Sequence, residues 1–97
     1  MKEQEPGRLY VVIEGHVQGV GFRSFVLDKA EDLDLTGWVR NTHVGNVEVL
    51  AEGPHSALEE LLISLKKGPS TARVNKVREN WSDATGEYRF FGVEHTI

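Results

Sequence analysis

Residues 8–33 constrain the fold of this chain most, because their hydrophobic pattern changes period across a glycine-rich loop. Before the loop, apolar and mixed side chains alternate as in a central strand, with Leu9, Val11 and Ile13 on one face. After the loop, apolar residues recur at spacings of four, four and three, which predicts an amphipathic helix over residues 22–33. The first unit of the fold is therefore a strand that is joined to a helix by a glycine loop.

The rest of the chain predicts a hairpin, a second helix and a C-terminal pair of strands. Residues 38–42 and 47–52 are β-rich and flank a short connection that contains a Gly-Asn pair, which is typical of a hairpin. Four leucines then form a helical stripe that ends at residues 66–69, and this helix starts either at a capping box of Ser56 and Glu59 or one turn earlier at Gly53-Pro54. Residues 73–81 and 87–93 indicate two more strands. Val74 and Val77 break the alternation there, which indicates a β-bulge or a shifted boundary.

This order of elements, β-α-β-β-α-β with an optional extra C-terminal strand, predicts an α+β fold. Two helices can cover only one face of an antiparallel sheet, so we expect a two-layer, ferredoxin-like sandwich whose other face is partly solvated. The polar residues 1–7 are expected to be a flexible N-terminal tail, and residues 8–97 to form a single domain.

Composition narrows the classes of function. Fifteen acidic against eleven basic residues give a net charge of −4, which argues against nucleic acid as a partner. The absence of cysteine excludes disulfides, thiolate zinc sites and cysteine nucleophiles, and the four histidines lack metal-ligand spacing. No apolar run is long enough for a membrane span, so we expect a cytoplasmic protein.

The loop itself, GHVQGVGFR at residues 15–23, contains no carboxylate and closes on Arg23. The backbone N–H groups at a helix N-terminus are unpaired and carry partial positive charge, and glycines let successive N–H groups converge on an anion. Arg23 opposes the helix dipole there at a cost of about 0.3–1 kcal/mol, which makes sense if its guanidinium binds an oxyanion. The alternative is a tight turn with Arg23 in solvent. The loop lacks the G-K-[ST] ending of a nucleotide P-loop and the third glycine of a dinucleotide fold.

Two long motifs resemble a known family. GHVQGVGFR is similar to the first acylphosphatase signature, G-x-V-Q-G-V-x-[FY]-R. The stretch GWVRNTHVGNVEVLAEG at residues 37–53 is similar to the second signature, G-[FYW]-[AVC]-[KRQAM]-N-x3-G-x-V-x5-G. Every constrained position of both is satisfied, and the resemblance extends over about residues 8–95.

The resemblance to the acylphosphatases implies hydrolysis of acyl phosphates to a carboxylate and inorganic phosphate. It places the family's arginine on Arg23 and its asparagine on Asn41, and it implies no metal and no cofactor. The expected partner is a small-molecule acyl phosphate, and inorganic phosphate is the expected product. We expect the protein to be a monomer that binds neither nucleic acid nor membrane.

The chemistry of the residues agrees with these roles. We expect a phosphoryl group to be held by Arg23 and by the backbone N–H groups of one run of the loop, namely Gln18, Gly19, Val20, Gly21 and Phe22. Asn41 is no base, but its amide can orient a water for in-line attack.

A second interpretation is a non-catalytic module that binds phosphate or carbamoyl phosphate. Such modules resemble the N-terminal part of a hydrogenase-maturation carbamoyltransferase, where zinc-finger segments follow. This chain ends at residue 97 without a cysteine, so we expect a free-standing enzyme.

Overall fold

A computed structural model describes residues 5–97, in which two helices cover one face of a five-stranded sheet. The strands lie in the order β4-β1-β3-β2-β5, and the first four are antiparallel. The elements are β1 (Pro6–His16), α1 (Phe22–Asp32), β2 (Thr36–Asn41), β3 (Val47–Pro54), α2 (His55–Lys67), β4 (Arg73–Asp83) and β5 (Phe91–Val93). The α+β ferredoxin-like prediction is confirmed and the extra strand is present. The sheet is mixed, however, because β5 pairs parallel to β2.

The core lies between the helices and one face of the sheet. Strand β1 contributes Leu9, Val11 and Ile13, all fully buried, as its alternation predicts. Helix α2 contributes its predicted stripe of Leu58, Leu61, Leu62 and Leu65. Helix α1 contributes Phe22, Val26 and Ala30, but it ends at Asp32, so Leu33, the fourth member of its predicted stripe, is the C-cap and is only partly buried. This packing holds the N-terminus of α1 above the end of β1.

Several element boundaries differ from the predicted ones. Helix α2 begins at His55 after Pro54, and no side chain caps it, so the Ser56 capping box is wrong and the Gly53-Pro54 start is right. Strand β1 begins at Pro6 and therefore includes Pro6 and Gly7, which were expected in the tail; residues 1–4 lie outside the described residues.

The two C-terminal strands also differ from their predicted limits. Strand β4 runs two residues further than predicted, to Asp83, whereas β5 contains only three of the seven residues expected. The expected bulge is confirmed, because Glu14 pairs with Lys76 but Gly15 pairs with Val74.

The crossing segment, residues 84–90, connects β4 at one edge of the sheet to β5 at the other. It passes over the face opposite the helices, where it contacts side chains of β1, β3 and β2. The face that was expected to be partly solvated is therefore covered over part of its area, and Leu50 and Glu52 of β3 are buried.

Glu52 fastens the crossing segment to the sheet. Its carboxylate accepts hydrogen bonds from Arg8 Nε at 2.7 Å, from the Thr85 backbone N–H at 2.9 Å and from the Gly86 backbone N–H at 3.0 Å. Burial alone would raise the pKa of Glu52, but the hydrogen bonds from Thr85, Arg8 and Gly86 together hold that pKa below its usual value. The protein thus supplies its own anion to these donors.

Candidate active site

The register of the sheet places Asn41 level with Ile13 of β1, the strand that leads into the glycine loop, with β3 between them. Ile13 of β1 pairs with Val47 of β3, and Val47 pairs with Asn41, the last residue of β2. Directly opposed residues share a face, so Asn41 faces the helix layer, about 10 Å from Ile13 across two strand spacings. Two segments that are distant in sequence therefore meet at one end of the sheet.

The loop between β1 and α1 depends on glycine for its conformation. Gly19 has a φ of 73° and Gly21 a φ of 79°, in the left-handed region that costs other residues energy. A Cβ at either position would meet no atom within 4 Å, so the requirement is for backbone shape and not for space. Gly21 is also the N-cap of α1, and the helix starts directly after it.

The backbone N–H groups of this loop are free of internal partners. Within residues 5–97, no hydrogen bond is donated by the main chain of residues 18–22. Unpaired N–H donors at a helix N-terminus carry partial positive charge, and converging donors of this kind can bind an anion.

A cavity of about 100 Å³ joins the loop to Asn41. Its walls combine the N-terminus of α1 with the end of β2 and consist of Val17, Gly19, Gly21, Phe22, Arg23, Ser24 and Asn41. The structure thus brings together five of the seven residues proposed for the site, including Arg23 and Asn41. The other two, Gln18 and Val20, belong to the same loop but do not line the cavity.

The cavity wall includes the cationic side chain of Arg23 and contains no acidic residue. Arg23 is half-buried in the first turn of α1, a turn that holds no acidic residue. It forms no ion pair with any carboxylate of residues 5–97, and over the same range the Asn41 side chain makes no hydrogen bond. A guanidinium and a primary amide are therefore both available to a ligand.

Other grooves are wider but chemically less suited to a small anion. One of about 450 Å³ lies between α2 and β4, where His55 stacks on Trp81 at 4.6 Å between ring centroids. Its lysine, Lys66, is already paired with Glu79 at 3.5 Å. In the described part of the chain, no group of histidine and carboxylate side chains is placed to hold a metal ion.

Three side-chain contacts around the loop were not foreseen. The Gln18 amide donates to the main-chain carbonyls of Thr42 and Asn46, and the Thr71 hydroxyl donates to the Val20 carbonyl at 2.7 Å. Each contact spans at least 24 residues, so no local pattern could have revealed it. Only the polar character of Gln18 inside an otherwise small and apolar run was visible.

Comparison with known proteins gives the family. The family model Acylphosphatase matches residues 9–93. The chain belongs to the acylphosphatase family. The acylphosphatase of Salinibacter ruber is 50% identical over 86 residues, which cover 89% of this chain and 90% of that protein. The acylphosphatase of Thermus thermophilus is 48% identical over 79 residues, covering 81% and 90%.

Solved acylphosphatase structures share the fold. The crystal structure of acylphosphatase from Bacillus subtilis superposes with a TM-score of 0.87 at 35% identity, covering 91% of this chain and 98% of that one. Full-length HypF, in a phosphate- and nucleotide-bound form, matches with a TM-score of 0.86 at 26% identity. That match covers 95% of this acylphosphatase but only 12% of HypF.

No helix in residues 5–97 has the length and apolar character needed to cross a membrane.

Proposed function

We propose that Arg23 and the backbone N–H groups of residues 18–22 hold the phosphoryl group of the substrate in the 100 Å³ cavity, beside Asn41. As an acylphosphatase, the protein hydrolyses the carboxyl–phosphate bond of acyl phosphates to a carboxylate and inorganic phosphate. One observation carries the assignment of the site. Three residues of this run, Gly19, Gly21 and Phe22, line the same cavity as Arg23. No acceptor among residues 5–97 satisfies the N–H groups of residues 18–22 or the Arg23 guanidinium.

The charge of the transition state explains why such a cavity suits phosphoryl transfer. The transferred group spreads negative charge over its equatorial oxygens, so catalysis rests on positioning and electrostatic stabilisation. The donors of the loop are preorganised by the two left-handed glycines and need no rearrangement as that charge develops. Arg23 adds a planar pair of donors that matches two phosphoryl oxygens.

The leaving group requires little help. A carboxylic acid has a pKa of about 4, so the departing carboxylate is stable without protonation. The water oxygen bonds to phosphorus, the phosphorus–oxygen bond to the acyl group breaks, and the carboxylate takes that electron pair. The proton lost by the water passes to a phosphoryl oxygen of the substrate, which leaves as phosphate.

Asn41 orients the attacking water in this scheme. Its carbonyl oxygen accepts a hydrogen bond from the water and its NH₂ group donates to a phosphoryl oxygen, which aligns the nucleophile without acting as a base. The half-buried position of Asn41 in the cavity wall supports this role.

The resemblance to HypF supports a second candidate, a module that binds phosphate or carbamoyl phosphate without turnover. The higher identity to the Salinibacter ruber acylphosphatase, over 90% of that protein, favours the enzyme. We also propose that the enzyme is a cytoplasmic monomer. We propose that it has no nucleic-acid partners, since its net charge of −4 repels polyanions.

Hydrolysis of benzoyl phosphate in the presence of EDTA tests the proposal. We expect turnover by the parent protein and a kcat reduced about 10²-fold in Asn41→Ala, because misplacing a nucleophile by about 1 Å has an effect of this size. The KM should change little. Asn80→Ala, at an exposed asparagine on β4, is the matched control and should behave as the parent does. A parental kcat in Asn41→Ala would refute the role of Asn41, and saturable phosphate binding without any turnover would favour the binding module.

A further inference from the structure

We infer that the Gln18 side chain is a positioning residue that holds Asn41 at its working distance from the phosphate loop, an inference that rests on the proposed function. The Gln18 Nε2 atom donates to the Thr42 carbonyl oxygen at 2.7 Å and to the Asn46 carbonyl oxygen at 2.8 Å. Both hydrogens of the amide are therefore used, and both acceptors lie in the connection between β2 and β3.

The two acceptors bracket Asn41 in the structure. Thr42 directly follows Asn41 in the chain, and Asn46 directly precedes Val47, the residue that pairs with Asn41 across the hairpin. A hydrogen bond to each of them fixes the loop against both strands of the hairpin at the level of Asn41.

The connection that Gln18 contacts is a closed and well-bonded turn. The Thr42 N–H donates to the Asn46 carbonyl at 2.9 Å, and the Asn46 N–H donates to Thr42 Oγ1 at 3.1 Å. Gly45 N–H adds a bond to the Thr42 carbonyl at 3.1 Å, and Thr42 is buried. Because these bonds close the turn directly beside Asn41, the Gln18 amide couples the loop to the residue that orients water.

The loop has a second tether that makes a natural control. On its other side, Thr71 Oγ1 donates to the Val20 carbonyl at 2.7 Å, which joins the loop to the connection between α2 and β4. That tether restrains the loop but does not reach Asn41. A general need for a rigid loop would make both tethers equally important, whereas positioning of Asn41 requires only that of Gln18.

The test compares Gln18→Met, which keeps the length of the side chain but removes both donors, with Thr71→Val. We expect Gln18→Met to lower kcat on benzoyl phosphate by about 10-fold or more, with the inhibition constant of inorganic phosphate changed by less than about threefold. Thr71→Val should leave kcat within about threefold of the parent. Thermal unfolding of each variant, followed by circular dichroism, verifies that the assayed protein is folded.

A double-mutant cycle with Asn41→Ala separates positioning from a merely structural role. If Gln18 acts through Asn41, then Gln18→Met lowers kcat little further once Asn41 is gone. Gln18→Glu provides a second test if the methionine variant folds poorly. Its ionised carboxylate repels the two carbonyls, and its protonated form can donate one bond, so its kcat relative to the parent should rise as pH falls.

Different outcomes refute different claims. If Asn41→Ala keeps the parental kcat, the proposed role of Asn41 fails. If Asn41→Ala lowers kcat, and Gln18→Met lowers it by the same factor in Asn41→Ala as in the parent, only the positioning inference fails. A loss of phosphate affinity at unchanged kcat in Gln18→Met also overturns the inference, because it would place the Gln18 side chain in phosphate binding alone.

Discussion

Two regions of the molecule combine an arginine with backbone N–H groups of a glycine-containing segment, and only one of them is internally satisfied. Around Glu52, the Arg8 guanidinium and the N–H groups of Thr85 and Gly86 converge on a carboxylate that the protein provides. Around the cavity, Arg23 and the N–H groups of residues 18–22 have no such acceptor within residues 5–97.

The difference between them separates structure from function. In the Glu52 cluster, the donors of Arg8, Thr85 and Gly86 all have an acceptor within the protein, and these bonds stabilise the path of the crossing segment. The loop forgoes that stabilisation and even places Arg23 against the positive end of α1. A set of donors that stays unsatisfied, at some cost in stability, is the expected feature of a site that binds an external anion.

The largest expected effect is the loss of activity in Arg23→Ala, which is compared with a separate Arg8→Ala variant. Arg23→Ala should lower kcat/KM on benzoyl phosphate by about 10³-fold, the loss typical of a transition-state donor. Its free energy of unfolding should be unchanged or higher by about 0.3–1 kcal/mol at low salt, because an unfavourable helix-dipole interaction is removed. Steady-state kinetics and urea unfolding measure the two quantities.

Arg8→Ala is the matched control, and its effects should be the reverse. It leaves the buried Glu52 carboxylate without its guanidinium, so we expect the free energy of unfolding to fall by about 2 kcal/mol. Its kcat/KM should stay within about threefold of the parent. If Arg23→Ala destabilised the fold and spared activity, the contrast between the two regions would be wrong.

An effect on stability as large as that of Arg8→Ala is expected for Glu52→Gln. The amide that replaces the carboxylate turns an NH₂ group towards N–H donors, which should cost about 2 kcal/mol and leave kcat almost unchanged. The folded-state pKa of Glu52 is lowered, so its carboxylate stabilises the fold above the unfolded-state pKa of about 4.3. That contribution is lost as pH falls from there through the folded-state pKa.

Urea unfolding at several pH values measures this contribution. The parent should lose more stability than Glu52→Gln between neutral pH and pH values below about 4. If the parent and Glu52→Gln lost the same free energy of unfolding on acidification, Glu52 would make no pH-dependent contribution to stability.

The smallest effect is expected from a pair of glycines with the same backbone strain. Gly21 and Gly86 have φ angles of 79° and 73°, and a Cβ at either position meets no atom within 4 Å. Alanine at each should therefore lower the free energy of unfolding by about 1 kcal/mol. Only Gly21→Ala should also reduce kcat/KM, because only that position shapes the loop around the cavity. A loss of activity of equal size in Gly86→Ala would contradict the assignment.

Much of the fold follows from local patterns, whereas the Glu52 cluster does not. The alternation around Val11 and the leucine stripe of α2 predict their elements because burial imposes those periods. The start of α2 stayed open between Ser56 and Pro54, since two valid local signals compete there. The bonds from Glu52 to Arg8 and Thr85 span 44 and 33 residues, so only the folded sheet brings them together.

The residues of the site differ in how much of their role could be predicted from the sequence. Arg23 stands out in the sequence because a cation opposes the dipole of its own helix. Asn41 has no such local signal and was assigned through the resemblance; its place beside the loop depends on the pairing of Ile13 with Val47 and of Val47 with Asn41. The role inferred for the Gln18 side chain required the structure itself.

Titration of ¹⁵N-labelled protein with inorganic phosphate tests the central claim most directly, since it observes the N–H groups themselves. We predict saturable shifts of the amide resonances of residues 18–23, no comparable shifts at Thr85 and Gly86, and loss of the response in Arg23→Ala. A titration that left the amides of residues 18–22 unmoved, or moved those of Thr85 and Gly86 equally, would contradict the account.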